Sequence, residues 1–145
     1  MSFDWADYLT LAQELSGDKP KVSPSREAKL RSAISRAYYA AHGTGRNHLR
    51  AVDNDKTIPS GGEAHQYVIN KFIGSSDKDR VGVGSELKRL RADRNKAGYE
   101  ERLALAKLEF MVRTDLLLSG LVLTALKSMP PATAPGTGGT APTGP

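Results

Sequence analysis

Cysteine is absent from this chain. Structural disulfides and thiolate-bound metals are thereby excluded, and a reducing compartment fits. No basic-then-apolar signal segment opens it, because the N-terminus runs through Asp4, Trp5 and Asp7. Nor is there an apolar run able to span a bilayer. The longest, Leu116 to Leu126, is interrupted by Ser119, Gly120 and Thr124 and preceded by Arg113 and Asp115. The expectation is a cytoplasmic protein that does not enter the membrane. There is no His pair at i and i+4 and no carboxylate cluster at ligand spacing, so no metal is expected. A phosphate-cradling glycine loop, a G-x-S-x-G elbow and a nucleotide fingerprint are all missing, so no cofactor is expected either. Gly82-Val83-Gly84 lacks the strand that would give such a loop meaning.

What the chain does hold is an excess of basic over acidic side chains, 21 against 16, for a net charge of +5. That balance permits contact with polyanions without proving it. The distribution says more, because the basic residues concentrate between Lys19 and Arg50 and between Lys78 and Arg102. Length allows one domain, residues 1–128. Residues 129–145 form a tail that from Pro130 onward contains only Pro, Ala, Thr and Gly. Such a stretch cannot bury enough apolar surface to offset its ordering entropy, so disorder is expected there.

Five helices follow from the periodicity, with neither an internal repeat nor a strand pattern. Trp5, Tyr8, Leu9, Ala12 and Leu15 share one face of the first, with Asp4 as the cap and Gly17 as the stop. Ser23 followed by Pro24 reads as a cap with proline in the first turn, opening a second helix to about Arg50. Leu30, Ala33, Ile34, Ala37, Tyr38 and Ala41 form its apolar stripe. Ser32, Ala40 and Gly43 make a small-residue face that would admit another helix and enclose Arg36. Gly43 and Gly45 each cost about 1 kcal/mol in a helix interior and argue against continuity beyond His42. A third helix spans about Glu63 to Ile73. The fourth starts at Asp77 or Asp79 and stops near Gly98. The fifth, about Glu101 to Lys127, turns apolar on nearly all sides after Asp115, which points to a central position or a covering partner.

Arg94 is the most informative position. It occupies the stripe of Val83, Leu87, Leu90 and Ala97, where an aliphatic side chain is expected. A charge aimed at a core needs a partner or a ligand. Arg91 lies one turn before it, and two guanidiniums in a partly enclosed site suit a phosphate, each able to bind it bidentately. The structural alternative pairs Arg94 with Asp93, Glu100 or Asp115, or turns it outward. His42 and His65 are candidate general acids or bases, although histidines on helix faces are commonly packing residues. His48, among Arg46, Asn47 and Arg50, is expected in solvent. Tyr38 reads as core. Tyr39 shares a side with Ser35, His42 and Arg46 and suits either a helix seam or a stacked base.

The segments FDWADYLTLAQEL, AKLRSAISRAYYAAHGTGRNHL, EAHQYVINKFI and LKRLRADRNKAGYE, taken in order, resemble the HEPN superfamily. The similar branch carries a second helix of the SRAYYAAF type and a fourth-helix R-x-x-A-D-Y motif. The resemblance runs from Phe3 to about Leu126. It implies an up-and-down helical bundle that forms a homodimer with its arginine motifs facing each other. It also implies metal-independent ribonuclease activity in a bacterial toxin–antitoxin or defence system, with a nucleotidyltransferase-type antitoxin as partner. The arginine of the family's R-x(4–6)-H motif falls on Arg94. No histidine follows between Lys96 and Glu100, and Gly98 stands where the related motif has aspartate, so Arg94, Ala97 and Tyr99 are what remain. Arg94 and Arg91 could stabilise a phosphorane. The 2′-hydroxyl proton would need Tyr99, His42 or His65.

The expected site is therefore Arg94 and Tyr99 as catalytic residues, with Arg91, Arg36 and His42 binding RNA phosphate. The alternative is a catalytically inactive HEPN adaptor that binds a partner protein.

Overall fold

The computed structural model describes residues 3–133 as five helices: α1 (Asp7–Leu15), α2 (Arg26–Ala51), α3 (Glu63–Ile73), α4 (Lys78–Tyr99) and α5 (Leu105–Lys127). No strand occurs among the described residues. The five helices are those expected from the periodicity, their bundle is the arrangement the resemblance implies, and α2 is its axis, touching each of the other four helices. Tyr38, Leu49, Val68, Phe72, Leu87, Leu90 and Val122 form the main core, drawn from α2, α3, α4 and α5. Burying side chains of this size stabilises by about 1.5–3 kcal/mol each. The tail beyond residue 133, expected to be disordered, lies outside the described residues.

Helix starts depart from the sequence reading at three places, the first being α1, which begins at Asp7 with Ala6 as its cap residue instead of Asp4. The cap of α2 is Ser25, whose side chain accepts a hydrogen bond from Ala28 N at 3.1 Å, and not Ser23. Pro24 precedes that cap, outside the helix. The end of α2 at Ala51 agrees with the expected end near Arg50, and the helix continues through Gly43 and Gly45. A Cβ on Gly45 would lie 3.4 Å from both Val68 and Phe72 side chains, so the missing side chain lets α3 come close. The packing gained across that contact outweighs the propensity cost. α5 starts at Leu105, four residues later than expected. The carbonyls of Ala97, Glu100 and Glu101 accept hydrogen bonds from the fully buried Arg31 guanidinium, and Glu101 O accepts another from Phe3 N. Those bonds hold the α4–α5 connection open and cap the end of α4.

α3 and α4 make a tight crossing. A Cβ on Gly84 would sit 2.6 Å from Ile73 Cγ1 and 2.7 Å from Ile73 N. At the far end of the bundle, Arg80 pairs with Asp53 and donates to Pro130 O, while Ala132 N donates to Asp53 Oδ1 at 3.0 Å. Met129 is buried in the main core. The start of the sequence-defined tail is thus fixed to the body. His48, expected in solvent, is buried with Nε2 3.7 Å from Asp53.

One expectation about faces fails, and of the two alternatives for α5 the central position falls away. Arg36, Ala40 and Gly43 are not enclosed by another helix: Arg36 and Ala40 are exposed, and nothing approaches the Cβ position of Gly43. The aliphatic half of α5 is not central. Phe110, Leu116, Leu117, Leu121 and Leu123 point outward from it, and only the Leu108, Met111, Asp115, Ser119, Val122 and Leu126 side is buried.

Candidate functional site

The helical repeat of α2 lines up Tyr38, His42 and, on the flank, Tyr39 and Arg46. α3 faces this row with His65 and Gln66 from its first turn, and α4 faces it with Arg91 and Arg94. The Tyr38 hydroxyl and His65 Nδ1 are 2.6 Å apart. The His42 and His65 rings stack with centroids 4.4 Å apart, and His42 also stacks on Tyr38 at 5.6 Å. Arg94 Nη2 donates to the Tyr39 hydroxyl at 2.7 Å, with its guanidinium over the Tyr39 ring. Arg91 Nη1 donates to Gln66 Oε1 at 3.0 Å.

Three guanidiniums, those of Arg46, Arg91 and Arg94, act on the imidazole pair. Burial pushes His42 down to about 4, helped by His65, Arg46 and Arg91. His65 is also held below the ordinary imidazole range, by burial first and then by Arg91, Arg94 and Arg46. Burial pushes the Tyr38 hydroxyl up to about 12, against the pull of Arg91 and Arg94. At neutral pH the tyrosine is therefore protonated and both imidazoles are neutral. Among the described residues, none of the ion pairs involves Arg46, Arg91 or Arg94. Arg94 bonds to Tyr39 and Asn95 rather than to Asp93, Glu100 or Asp115. His42 Nδ1 and Arg46 Nε are buried with no hydrogen-bond partner. Cationic charge without a carboxylate counter-ion is an anion-binding environment.

Of the residues picked out from sequence, Arg91, Arg94, His42, His65 and Tyr39 come together here. Tyr99 stands apart from the imidazoles, 77% exposed at the end of α4, in a cleft that Arg94 also lines. Arg36 does not join them. It is exposed on the side of α2 that faces α1, in a groove with Leu11 and Leu15. His65 is the residue that the motif could not supply, because it comes from α3 and meets His42 only through the fold. Arg46 lies outside the SRAYYAAF-type motif, and Tyr38, within it, reads there as core; their signal was the i, i+4 and i+8 spacing along α2.

Among the described residues no group of three or more His, Cys, Asp and Glu side chains could hold a metal ion, and no helix is long and apolar enough to cross a membrane. What the fold and site define is a helical bundle with a polar, arginine-rich cluster between α2, α3 and α4. In comparison with known proteins, no family model, no curated protein and no solved structure matches the chain.

Proposed function

We propose that the chain is a HEPN-type RNA-binding protein that cuts RNA without a metal, as the cytoplasmic effector of a bacterial toxin–antitoxin or defence system. One observation carries the reading: three guanidiniums without a carboxylate partner among the described residues act on two neutral imidazoles. Arg91 and Arg94 bind the scissile phosphate and stabilise the phosphorane. His65 takes the 2′-hydroxyl proton at Nε2, in the tautomer whose Nδ1–H donates to the Tyr38 oxygen. The O2′–P bond forms, the P–O5′ bond breaks, and the departing 5′ oxygen takes a proton from water. His65 supplies the base missing after Arg94, and Tyr38 orients it. Partnership with a second copy and with a nucleotidyltransferase-type antitoxin belongs to the same proposal.

Purified protein incubated with structured RNA and tRNA tests this, beside Arg94→Ala and His65→Ala. Cleavage lost in both variants is expected. Equal cleavage by wild type and Arg94→Ala removes Arg94 from the mechanism, and neither cleavage nor binding by wild type ends the RNA reading.

The outward apolar side chains of α5, Phe110, Leu117 and Leu121 among them, favour a second reading, an inactive HEPN adaptor that covers this face with a partner protein. Light scattering with and without the product of the adjacent gene separates the two. A monodisperse monomer without affinity for that product counts against the adaptor.

A further inference from the structure

Arg94 belongs to two surroundings at once. Its Nη2 reaches Tyr39 in the imidazole cluster, and its side chain also lines a separate cleft of about 280 Å³ with Tyr8, Ser32, Ser35, Gly98 and Tyr99. The two ends of this cleft differ. Tyr8 is a fixed wall, with its ring held edge-on by Phe3 at 5.2 Å and tilted against Trp5 at 5.8 Å. Arg31 behind it is committed to Glu27 and to three backbone carbonyls, so it serves as support rather than as a ligand contact. Tyr99 is exposed at the rim. Between them Gly98 leaves open space where a side chain would project, with nothing within 4 Å of its Cβ position.

We propose that this cleft holds the unpaired nucleobase adjoining the phosphate bound by Arg91 and Arg94. The inference rests on the RNA reading above and adds a base-binding subsite to it. Single-stranded RNA is recognised by stacking its splayed bases on aromatic rings and guanidinium planes, with hydrogen bonds to the base edges. The cleft provides all three: the Tyr8 and Tyr99 rings, the Arg94 guanidinium, and the Ser32 and Ser35 hydroxyls. Its volume suits one base and not a larger folded ligand. Because Arg94 is common to the cleft and the imidazole cluster, a base seated here keeps its own phosphate at the arginines. Gly98, which breaks the family motif by replacing an aspartate, is then the opening through which the base enters. An aspartate there would fill the space and set a negative charge beside the phosphate site.

The test measures binding of a fluorescent single-stranded RNA and of the same strand carrying one abasic position, with free nucleoside monophosphates as a third probe. Wild type is expected to bind the base-bearing strand roughly ten-fold more tightly than the abasic one, the size of one aromatic–base stack. Gly98→Leu, whose Cβ has open space around it, projects its side chain into the cleft and is expected to erase that difference while still binding the abasic strand. Tyr99→Ala is expected to reduce the difference, and circular dichroism confirms that both variants are folded. If wild type binds RNA but neither variant narrows the gap, or there is no gap, the base site is overturned and the RNA reading stands. If wild type binds no RNA, both fall. Tight binding of a free nucleoside monophosphate, lost in Gly98→Leu and without affinity for the strand, would overturn the proposal in favour of a free nucleotide site.

Discussion

The Tyr38 hydroxyl and His65 Nδ1 lie 2.6 Å apart, joining the middle of α2 to the first turn of α3. With burial raising the tyrosine and lowering the histidine, the contact joins two neutral groups. It fixes the imidazole plane and leaves Nε2 for a substrate. Replacing Tyr38 with Phe is expected to lower RNA cleavage more than RNA binding, because phosphate contact stays with the arginines. Comparing single-turnover rates with affinities checks this; a loss in affinity alone would count against an orienting role.

Binding to RNA should depend on salt through the unpaired guanidiniums. Arg91→Ala and Arg94→Ala are each expected to weaken binding and to lower the slope of log affinity against log salt by about one. Arg36→Ala, on the α1 side of α2, is expected to change neither. Anisotropy titrations at several salt concentrations decide it.

The depressed imidazoles give a stability term with a definite sign. The native state holds His42 neutral down to about pH 4, whereas the unfolded chain takes up the proton near the ordinary value of about 6.5. The unfolded state therefore binds more protons between these values, and stability rises with pH. The contribution is present above about pH 6.5 and is lost progressively as pH falls toward 4. His42→Gln is expected to flatten that part of the profile in denaturant unfolding. For the same reason cleavage should persist to lower pH than an ordinary histidine base would allow.

Asp115 behaves in the opposite sense. It is fully buried on α5, neither carboxyl oxygen has a hydrogen-bond partner, and burial together with the neighbouring Asp93 pushes it up to about 8. Its stabilising protonated form is complete below the unfolded value of about 3.9 and is lost as pH rises through about 8. Asp115→Asn is expected to raise the melting temperature at pH 8.5 and to leave it nearly unchanged at pH 4.

Two glycines should respond with opposite signs. Gly84→Ala would force a Cβ against the Ile73 backbone. It is expected to destabilise by about 1–3 kcal/mol, because overpacking exceeds the gain in helix propensity. Gly43→Ala, with open space around it, is expected to stabilise by up to about 1 kcal/mol. Urea midpoints of the two variants provide the comparison.

The sequence by itself determined the helix number and the row of Val83, Leu87, Leu90 and Ala97 that α4 buries, because these follow from the local repeat of 3.6 residues per turn. Arg94, expected on that row, is only half-buried. Even the misplaced boundaries were local errors with distant causes: α5 begins late because Arg31, on another helix, holds the preceding carbonyls. What only the tertiary structure decided is the company Arg94 keeps. His65 meets His42 because Gly45 and Gly84 let α3 come close to α2 and α4, and no spacing within one helix encodes that approach. The same packing buried His48, whereas Arg36 lies off the Tyr38 and His42 side of α2 by the helical repeat alone. Side-chain direction around one helix is set by periodicity, but which residues of three helices meet is set by where their backbones can touch.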